Sequence, residues 1–216
     1  MNNFIKRTIS GVGFAAVMLA AFLTNKFIFG AVMLFALVVM MWEFLRMTCG
    51  KEYKYSQILS ILAGATLFTL VWLFKGFNFP GRLVILAFVP VFILMINSLY
   101  VKDKSRFNKF ANLYTAIIYI AVPWSVINFA VFGPEGEFNG MLLLSFFAII
   151  WGSDVGAYLF GITLGQKYGK KLFPSISPKK SWIGFWGGMF MAIVISVVLH
   201  YTGIFPLTSG RHTFDL

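Results

Sequence analysis

Seven long apolar stretches constrain the fold of this chain more than any other feature of its sequence. They are separated by short polar segments and together cover most of the 216 residues. A helix needs about 20 mostly apolar residues to cross roughly 30 Å of bilayer hydrocarbon, and an open sheet cannot satisfy its backbone groups there. The sequence therefore predicts an all-α, polytopic membrane bundle with helices at 8–24, 27–45, 57–74, 83–100, 113–132, 141–160 and 182–201.

The composition agrees with this class of protein. Hydrophobic residues make up 59% of the chain and charged residues only 12%, whereas a soluble domain carries about 25% charged residues. No polar segment between the apolar stretches is long enough to fold separately. We therefore expect a single integral-membrane domain over residues 1–216, with N-terminal helices over 1–110 and a second part over 111–216.

The basic residues predict how the helices are oriented. Loops on the cytoplasmic side of a membrane carry an excess of Lys and Arg. With the N-terminus in the cytoplasm, 14 of the 18 basic residues fall on that side, whereas loop 133–139, which contains Glu135 and Glu137 and no basic residue, falls outside. This topology explains the net charge of +11 without nucleic acid as a partner. It also places the loop 167–181 in the cytoplasm.

Two acidic residues lie at membrane depth. Asp154 comes well inside the sixth predicted helix, roughly 20 Å from its outer end. An ionised carboxylate there costs on the order of 3 kcal/mol and needs a partner, a metal ion or water. It is either a structural residue paired with a lysine or a carboxylate that faces a metal ion or a substrate. Glu43 is expected to pair with Arg46, three residues later. Gly152 and Gly156 predict close contact with a neighbouring helix.

A segment rich in glycine and lysine follows the sixth helix and has the composition of a phosphate-binding loop. Three glycines, spaced four residues apart from Gly161 to Gly169, permit close backbone approach or positive φ. Beyond them the sequence SPKKS at 177–181 leads into the last apolar stretch. Ser181 is placed to cap that helix, and a helix N-terminus beside two lysines suits a di- or triphosphate. The alternative is a basic turn at the membrane surface.

The segment WGSDVGAYLFGITLGQKYGKKLFPSISPKKSWIGFWGG at 151–188 resembles the core of the phosphatidate cytidylyltransferases, also called CDP-diacylglycerol synthases. Two linked patterns carry the resemblance, one over 151–161 and the other over 177–188. Two departures accompany it. Ile183 stands where many family members carry Glu or Gln, and the chain ends before the further C-terminal acids of the family pattern. We therefore expect an incomplete and poorly active enzyme.

The resemblance implies transfer of a cytidylyl group from CTP to phosphatidate, which gives CDP-diacylglycerol and pyrophosphate in phospholipid biosynthesis. It implies that 111–216 begins the catalytic core, that Asp154 holds Mg²⁺ or another divalent ion, and that Lys180 acts with it in catalysis. Substrate binding is assigned to Ser177, Lys179, Lys180, Ser181 and Gly184. The expected location is the inner (plasma) membrane, as a multi-pass protein in the lipid bilayer, with a homodimer as one arrangement.

Two other functions fit the same residues. In a transporter or channel, Asp154 would relay protons or ions within the helix bundle, and the lysine-rich loop would form a gate. The SPKKSWIGFWGG segment has no evident role in transport, which favours the enzyme. The second alternative is another CTP-dependent lipid enzyme, with an isoprenoid alcohol or phosphate as the acceptor.

Overall fold

The computed structural model describes residues 3–101 and 107–202, and for residues 3–10 the backbone alone. Lys102, Lys104 and Arg106, which count among the basic residues of the predicted cytoplasmic side, lie outside the described residues, as does 203–216. Within these ranges the regular secondary structure is helical, except for one short hairpin and an isolated bridge. Its contacts divide the chain into two units, Met1–Gly140 and Met141–Leu216. The expectation of a single domain stays a prediction.

The helices of the first unit follow the predicted apolar stretches. They are α1 (Asn3–Leu23), α2 (Lys26–Cys49), α3 (Lys54–Phe77), α4 (Phe88–Leu99), α5 (Ala111–Ala116) and α6 (Val122–Val131). In the described part of the chain, six helical segments are long and apolar enough to cross a membrane, and the shorter apolar helix Gly11–Leu23 precedes them. The prediction of an all-α, multi-pass membrane protein is confirmed.

Local signals fix the ends of α2. The side chain of Asn25 caps its start by accepting hydrogen bonds from the backbone N–H groups of Phe27 and Ile28, both at 3.0 Å. At the other end Gly50 has a φ of 63° and donates its N–H to the carbonyl of Arg46 at 3.1 Å. Glycine adopts this left-handed conformation without the steric cost that a side chain brings. Short polar breaks therefore separate consecutive membrane helices.

The core of the first unit is built along one face of α2. Five large side chains spaced four residues apart on this helix are fully buried, namely Phe29, Met33, Leu37, Met41 and Leu45. Residues four apart lie on the same side of a helix. Polar side chains also contribute to the packing, as in the hydrogen bond that the buried hydroxyl of Ser60 donates to the carbonyl of Leu113 at 2.7 Å.

The expectation that Glu43 pairs with Arg46 is wrong. Both residues are exposed near the end of α2, and the structure contains no ion pair between them. The Arg46 guanidinium instead lies over the ring of Trp42, 5.3 Å from its centroid. A guanidinium stacks well on the face of an indole, and an exposed ion pair gains little energy in competition with it.

The fifth predicted span is one helical run whose geometry changes along its length. It begins as a 3-10 turn at Phe107–Phe110, continues as α5, widens into a π turn at Ile117–Ala121 and ends as α6. Pro123 lies at the start of α6. Because proline has no N–H and its ring crowds the carbonyl four residues earlier, the helix widens where that carbonyl, of Tyr119, lies.

The second unit is a pair of long helices joined by a compact connection. It contains α7 (Met141–Phe160), a π turn (Gly161–Gly165), α8 (Gln166–Tyr168), β1 (Lys171–Phe173), β2 (Ser177–Ser181) and α9 (Trp182–Tyr201). The bounds of α7 and α9 agree with the predicted spans. The close contact predicted for Gly152 and Gly156 is confirmed: a Cβ at Gly152 would meet the side chain of Ile195, and one at Gly156 would lie 2.9 Å from the carbonyl oxygen of Gly187.

The segment expected to be a loop folds as an antiparallel hairpin. Lys171 pairs with Ser181 and Phe173 pairs with Ser177, with an irregularity between the two pairs. A hydrogen bond from the N–H of Ile176 to the carbonyl of Phe173, at 3.2 Å, closes the turn. Such short strands leave no alternating pattern in the sequence, and Ser, Pro and Lys have weak strand preference. The sequence therefore contains no signal from which the hairpin could be predicted.

Candidate active site

The second unit contains an open cavity of about 840 Å³ between its long helices and the hairpin. Every element from α7 to α9 contributes to its wall. The lining residues are Asp154, Ala157, Tyr158, Gly161, Ile162, Gln166, Leu172, Ser177, Lys179, Lys180, Ser181, Gly184 and Phe185. A carboxylate, two ammonium groups, hydroxyl groups and an amide therefore face one space whose other walls are apolar and aromatic, which is typical of a ligand site.

All six residues proposed for the site from the sequence lie on this cavity. Asp154 comes from α7, Gly184 comes from the first turn of α9, and the remaining four come from β2. The structure thus brings together residues that are up to 30 positions apart in the chain. Their individual roles stay predictions.

Asp154 is exposed and faces the cavity. Within the described residues no lysine or arginine forms an ion pair with it, and no side chain donates a hydrogen bond to it. The interpretation of Asp154 as a structural residue paired with lysine therefore has no support in that part of the chain. A carboxylate without a protein partner is available to a cation or a ligand.

The register between α7 and α9 sets the length of the cavity. A Cβ at Gly188 would lie 3.0 Å from the carbonyl oxygen of Ser153, and one at Gly165 would meet the hydroxyl of Ser181. Asp154 is therefore level with the interior of α9, whereas Ser181 at the start of α9 is level with Gly165. These two levels are about 10–16 Å apart along the helix axis, as counted in residues along α9 and α7 respectively. The cavity is elongated, with the carboxylate at one end and the start of α9 at the other.

Ser181 caps α9, as predicted. It is 3% exposed and has extended backbone angles, and its hydroxyl accepts a hydrogen bond from the N–H of Gly184 at 3.2 Å. The N–H of Trp182 donates to the carbonyl of Lys170 at 3.0 Å. Two first-turn N–H groups are thus already bonded, and that of Ile183 is the one left for an anion. The positive end of the helix dipole still points towards the cavity.

The lysines of this segment fall into two groups. Lys179 and Lys180 line the cavity beside the start of α9, whereas Lys167, Lys170 and Lys171 are exposed and are not among its lining residues. This division agrees with the sequence interpretation, which placed the two SPKKS lysines beside a helix N-terminus that suits a di- or triphosphate. Two ammonium groups and a helix N-terminus form a cationic end suited to phosphate groups.

Gln166 lines the cavity and was not predicted to belong to the site. In a regular α-helix Gln166 would lie about 120° around the axis from Asp154. The π turn at Gly161–Gly165 adds one residue to the helix, which sets later residues back by about 100° and brings Gln166 close to the face of Asp154. The helix-weakening glycines at the two ends of the turn were the one available sequence signal.

The donors on the cavity fit a divalent cation that is shared with a ligand. In the ranges 3–101 and 107–202 no group of three His, Cys, Asp or Glu residues comes together to hold a metal ion. Asp154 is the carboxylate on the cavity wall, and Ser177 offers a further oxygen atom. Mg²⁺ is commonly held by one or two carboxylates together with substrate phosphates and water. This donor set therefore fits Mg²⁺ when phosphate groups occupy the cavity.

A sequence profile of the cytidylyltransferase family matches residues 5–211. The chain belongs to the cytidylyltransferase family. The resemblance noted over 151–188 is thereby confirmed over almost the whole chain. No solved structure matches the chain significantly.

Curated relatives within this family are similar over different extents. The phosphatidate cytidylyltransferase of Bacillus subtilis (strain 168) is 29% identical over 219 residues, which cover 96% of this chain and 75% of the relative. That of Staphylococcus aureus (strain COL) is 34% identical over 94 residues, 44% of this chain and 35% of the relative. That of Rickettsia bellii (strain RML369-C) is 34% identical over 89 residues, 41% of this chain and 36% of the relative.

Proposed function

We propose that this member of the cytidylyltransferase family transfers the cytidylyl group of CTP to phosphatidate and releases CDP-diacylglycerol and pyrophosphate. The observation that carries the proposal is a cavity on which the carboxylate of Asp154, which has no partner within the described residues, faces the same space as Lys179 and Lys180. Phosphoryl transfer needs cations beside the transferring group. The protein contributes mainly by positioning the reactants and by neutralising their negative charge. The names of the curated relatives supply the two substrates.

The shape of the cavity supports different binding roles for its two ends. The lysines and the start of α9 bind the phosphates of CTP, because they form its cationic end. Asp154 and Ser177 would hold Mg²⁺, and a bound Mg²⁺ would supply positive charge for the triphosphate and the departing pyrophosphate. The apolar wall, which includes Ile162, suits the glycerolipid next to its phosphate.

The reaction is a substitution at the α-phosphorus of CTP. A phosphate oxygen of phosphatidate forms the new bond to that phosphorus, and the bond from phosphorus to the oxygen that bridges the α- and β-phosphates breaks. The electron pair of the broken bond leaves with pyrophosphate. Lys180 stays close to the phosphates as their charge shifts towards the leaving group, which is where a fixed cation lowers the barrier most.

The test uses CTP labelled at either the α- or the γ-phosphorus. The purified chain in nanodiscs that contain phosphatidate is incubated with Mg²⁺ and each form of CTP, and label is counted in the lipid extract, where even slow turnover accumulates. The α-label is expected to enter the lipid and the γ-label to stay in water. A lipid that acquires γ-label, or no label at all, would contradict the proposal.

A pair of lysine variants connects this activity to the cavity. Lys180→Ala removes a cation from the wall and is expected to raise the KM for CTP by about 10-fold or more, since a charge-assisted contact is worth about 1.5–3 kcal/mol. Lys170→Ala removes an equal charge from the same segment outside the wall, and its KM is expected to stay unchanged. Equal effects of the two variants would attribute the change to net charge and not to this cavity.

A further inference from the structure

The tip of the β1–β2 hairpin is unusually apolar for a segment between two membrane helices. Ile176 is 83% exposed and Phe173 is 56% exposed, and Pro174 lies between them. The strand residues behind this tip are mostly serine and lysine. Turns that face water are normally polar, because Gly, Asn, Asp and Ser are the residues that turn geometry favours. Side chains this large and this exposed at a tip indicate a surface that contacts something apolar.

The cavity shows in which direction the hairpin extends. Ser181 is level with Gly165, about 10–16 Å along the axis from Asp154. If the hairpin continued away from the helices, Ser177 near its tip would lie about 13 Å beyond Ser181, and about 23–29 Å from Asp154. One cavity, with a volume of only about 840 Å³, is nevertheless lined by Asp154, Leu172 and Ser177 together. The hairpin therefore folds back along α7 and α9 and covers the cavity.

This direction carries the tip towards the membrane. With 20 residues, α9 is about 30 Å long, which equals the thickness of the hydrocarbon layer, so its first residue, Trp182, lies at the boundary of that layer. A hairpin that folds back from Ser181 carries Phe173 and Ile176 to the lipid side of this boundary. A short ribbon is tolerated there because its strands pair with each other and its inner face lines the cavity.

The charge of the surrounding segment is complementary to anionic lipid. Residues 155–202 contain no Asp or Glu, and Lys167, Lys170 and Lys171 are exposed outside the cavity wall. Exposed lysines beside an apolar, aromatic surface are typical of segments that lie in the membrane interface. We propose that the hairpin is an interfacial anchor, in which Phe173 and Ile176 insert among the lipids of the adjacent leaflet and the three lysines contact their phosphates.

The experiment measures the depth of the hairpin tip and does not depend on catalytic turnover. Ile176→Cys is labelled with the environment-sensitive fluorophore NBD, and the protein is reconstituted into vesicles of phosphatidylcholine and phosphatidylglycerol. The expected result is a blue-shifted emission, strong quenching by nitroxide-labelled lipid and protection from aqueous iodide. Cys49, the one native cysteine, is 1% exposed, so the unsubstituted chain measures background labelling.

Tyr168→Cys supplies the matched site. Tyr168 is exposed in α8, beyond Gly165 on the side away from Asp154, and is not one of the three lysines. Nitroxide quenching at position 176 is expected to exceed that at 168 by about twofold or more, as for a group inserted several ångströms below the headgroups. Equal quenching at both sites, with iodide reaching position 176, would overturn the anchor. A label at position 176 that is shielded from both quenchers would also overturn the anchor, because that pattern would show a contact with protein, such as a second copy of the chain.

Discussion

At the scale of single residues, Asp154 has no partner in the described part of the chain that gives it a structural role. It is a carboxylate on the wall of a cavity, within a helix long enough to span a membrane, and in the described residues it makes no ion pair. Burying charge at membrane depth is costly. No packing contact in the described residues requires this charge. We therefore infer that the charge serves the ligand that the cavity binds.

Asp154→Asn keeps the size of this side chain and removes its charge. We expect CTP-dependent labelling of lipid to fall by about 100-fold or more, comparable to the loss of one preorganised electrostatic contact. The thermal stability is expected to stay unchanged, because no hydrogen bond or ion pair in the described residues is lost. Rates measured over a range of Mg²⁺ concentrations, beside melting curves, check both expectations.

The control for this variant is Glu135→Gln, which removes an exposed carboxylate from a loop of the first unit. Its turnover is expected to equal that of the unsubstituted protein. Unchanged turnover in Asp154→Asn would remove Asp154 from the reaction. A fall in both turnover and melting temperature would make its role structural.

The sequence predicted some of these residues better than others for physical reasons. Ser181 was predictable as a cap because capping depends on a local pattern, a serine directly before an apolar helix. Asp154, Lys179 and Lys180 stood out because charge is rare in this chain. Gln166 could not be predicted, since its place on the cavity depends on one extra residue in a helical turn. That turn changes the direction of side chains without changing composition.

At the scale of elements, the contact of α7 with α9 depends on glycines, whose lack of a side chain lets the two helices approach closely. A Cβ at Gly184 would lie 2.9 Å from the carbonyl oxygen of Ala157 and 3.2 Å from the Cα of Gly161. Both neighbours are backbone atoms, which cannot rotate away. Small residues permit this close approach, which is a common basis of helix association in membranes. The short distance between the helices in turn places β2 and the start of α9 against the wall of α7.

Gly184→Ala is therefore expected to destabilise the second unit. The two helices must separate to admit the methyl group, and overpacking of this kind costs about 1–3 kcal/mol. The melting temperature in detergent, followed by circular dichroism, is expected to fall.

Gly161→Ala is the matched variant on the facing helix. A Cβ at Gly161 would have its nearest neighbour, the Cα of Gly184, at 3.8 Å, an ordinary contact. Alanine also favours helix over glycine by about 1 kcal/mol, so the melting temperature is expected to stay equal or rise. If both variants lost the same stability, the close backbone contact at Gly184 would not be the cause.

At the scale of the whole molecule, the fold was predictable because lipid allows few alternatives. Each predicted span reappears as a helical segment, since an apolar stretch of this length has no other way to satisfy its backbone. The interruptions were not predictable, among them the π turn before α6 and the hairpin before α9. These irregular segments depend on single residues such as Pro123, or on packing between helices. Residues 161–181, where most of the cavity wall lies, are the part in which the structure adds most to the sequence.

The orientation of the molecule is the last prediction, and it depends on the distribution of charge. A layout with 14 of 18 basic residues on one side predicts that this side faces the cytoplasm. Glu135→Cys and Lys170→Cys place exposed thiols in segments predicted to lie on opposite sides, and buried Cys49 adds little background. In intact bacterial cells a membrane-impermeant maleimide is expected to label position 135, and position 170 only after the membrane is opened. The reverse pattern would place the cavity and its lysines outside the cell, where no CTP is available to them.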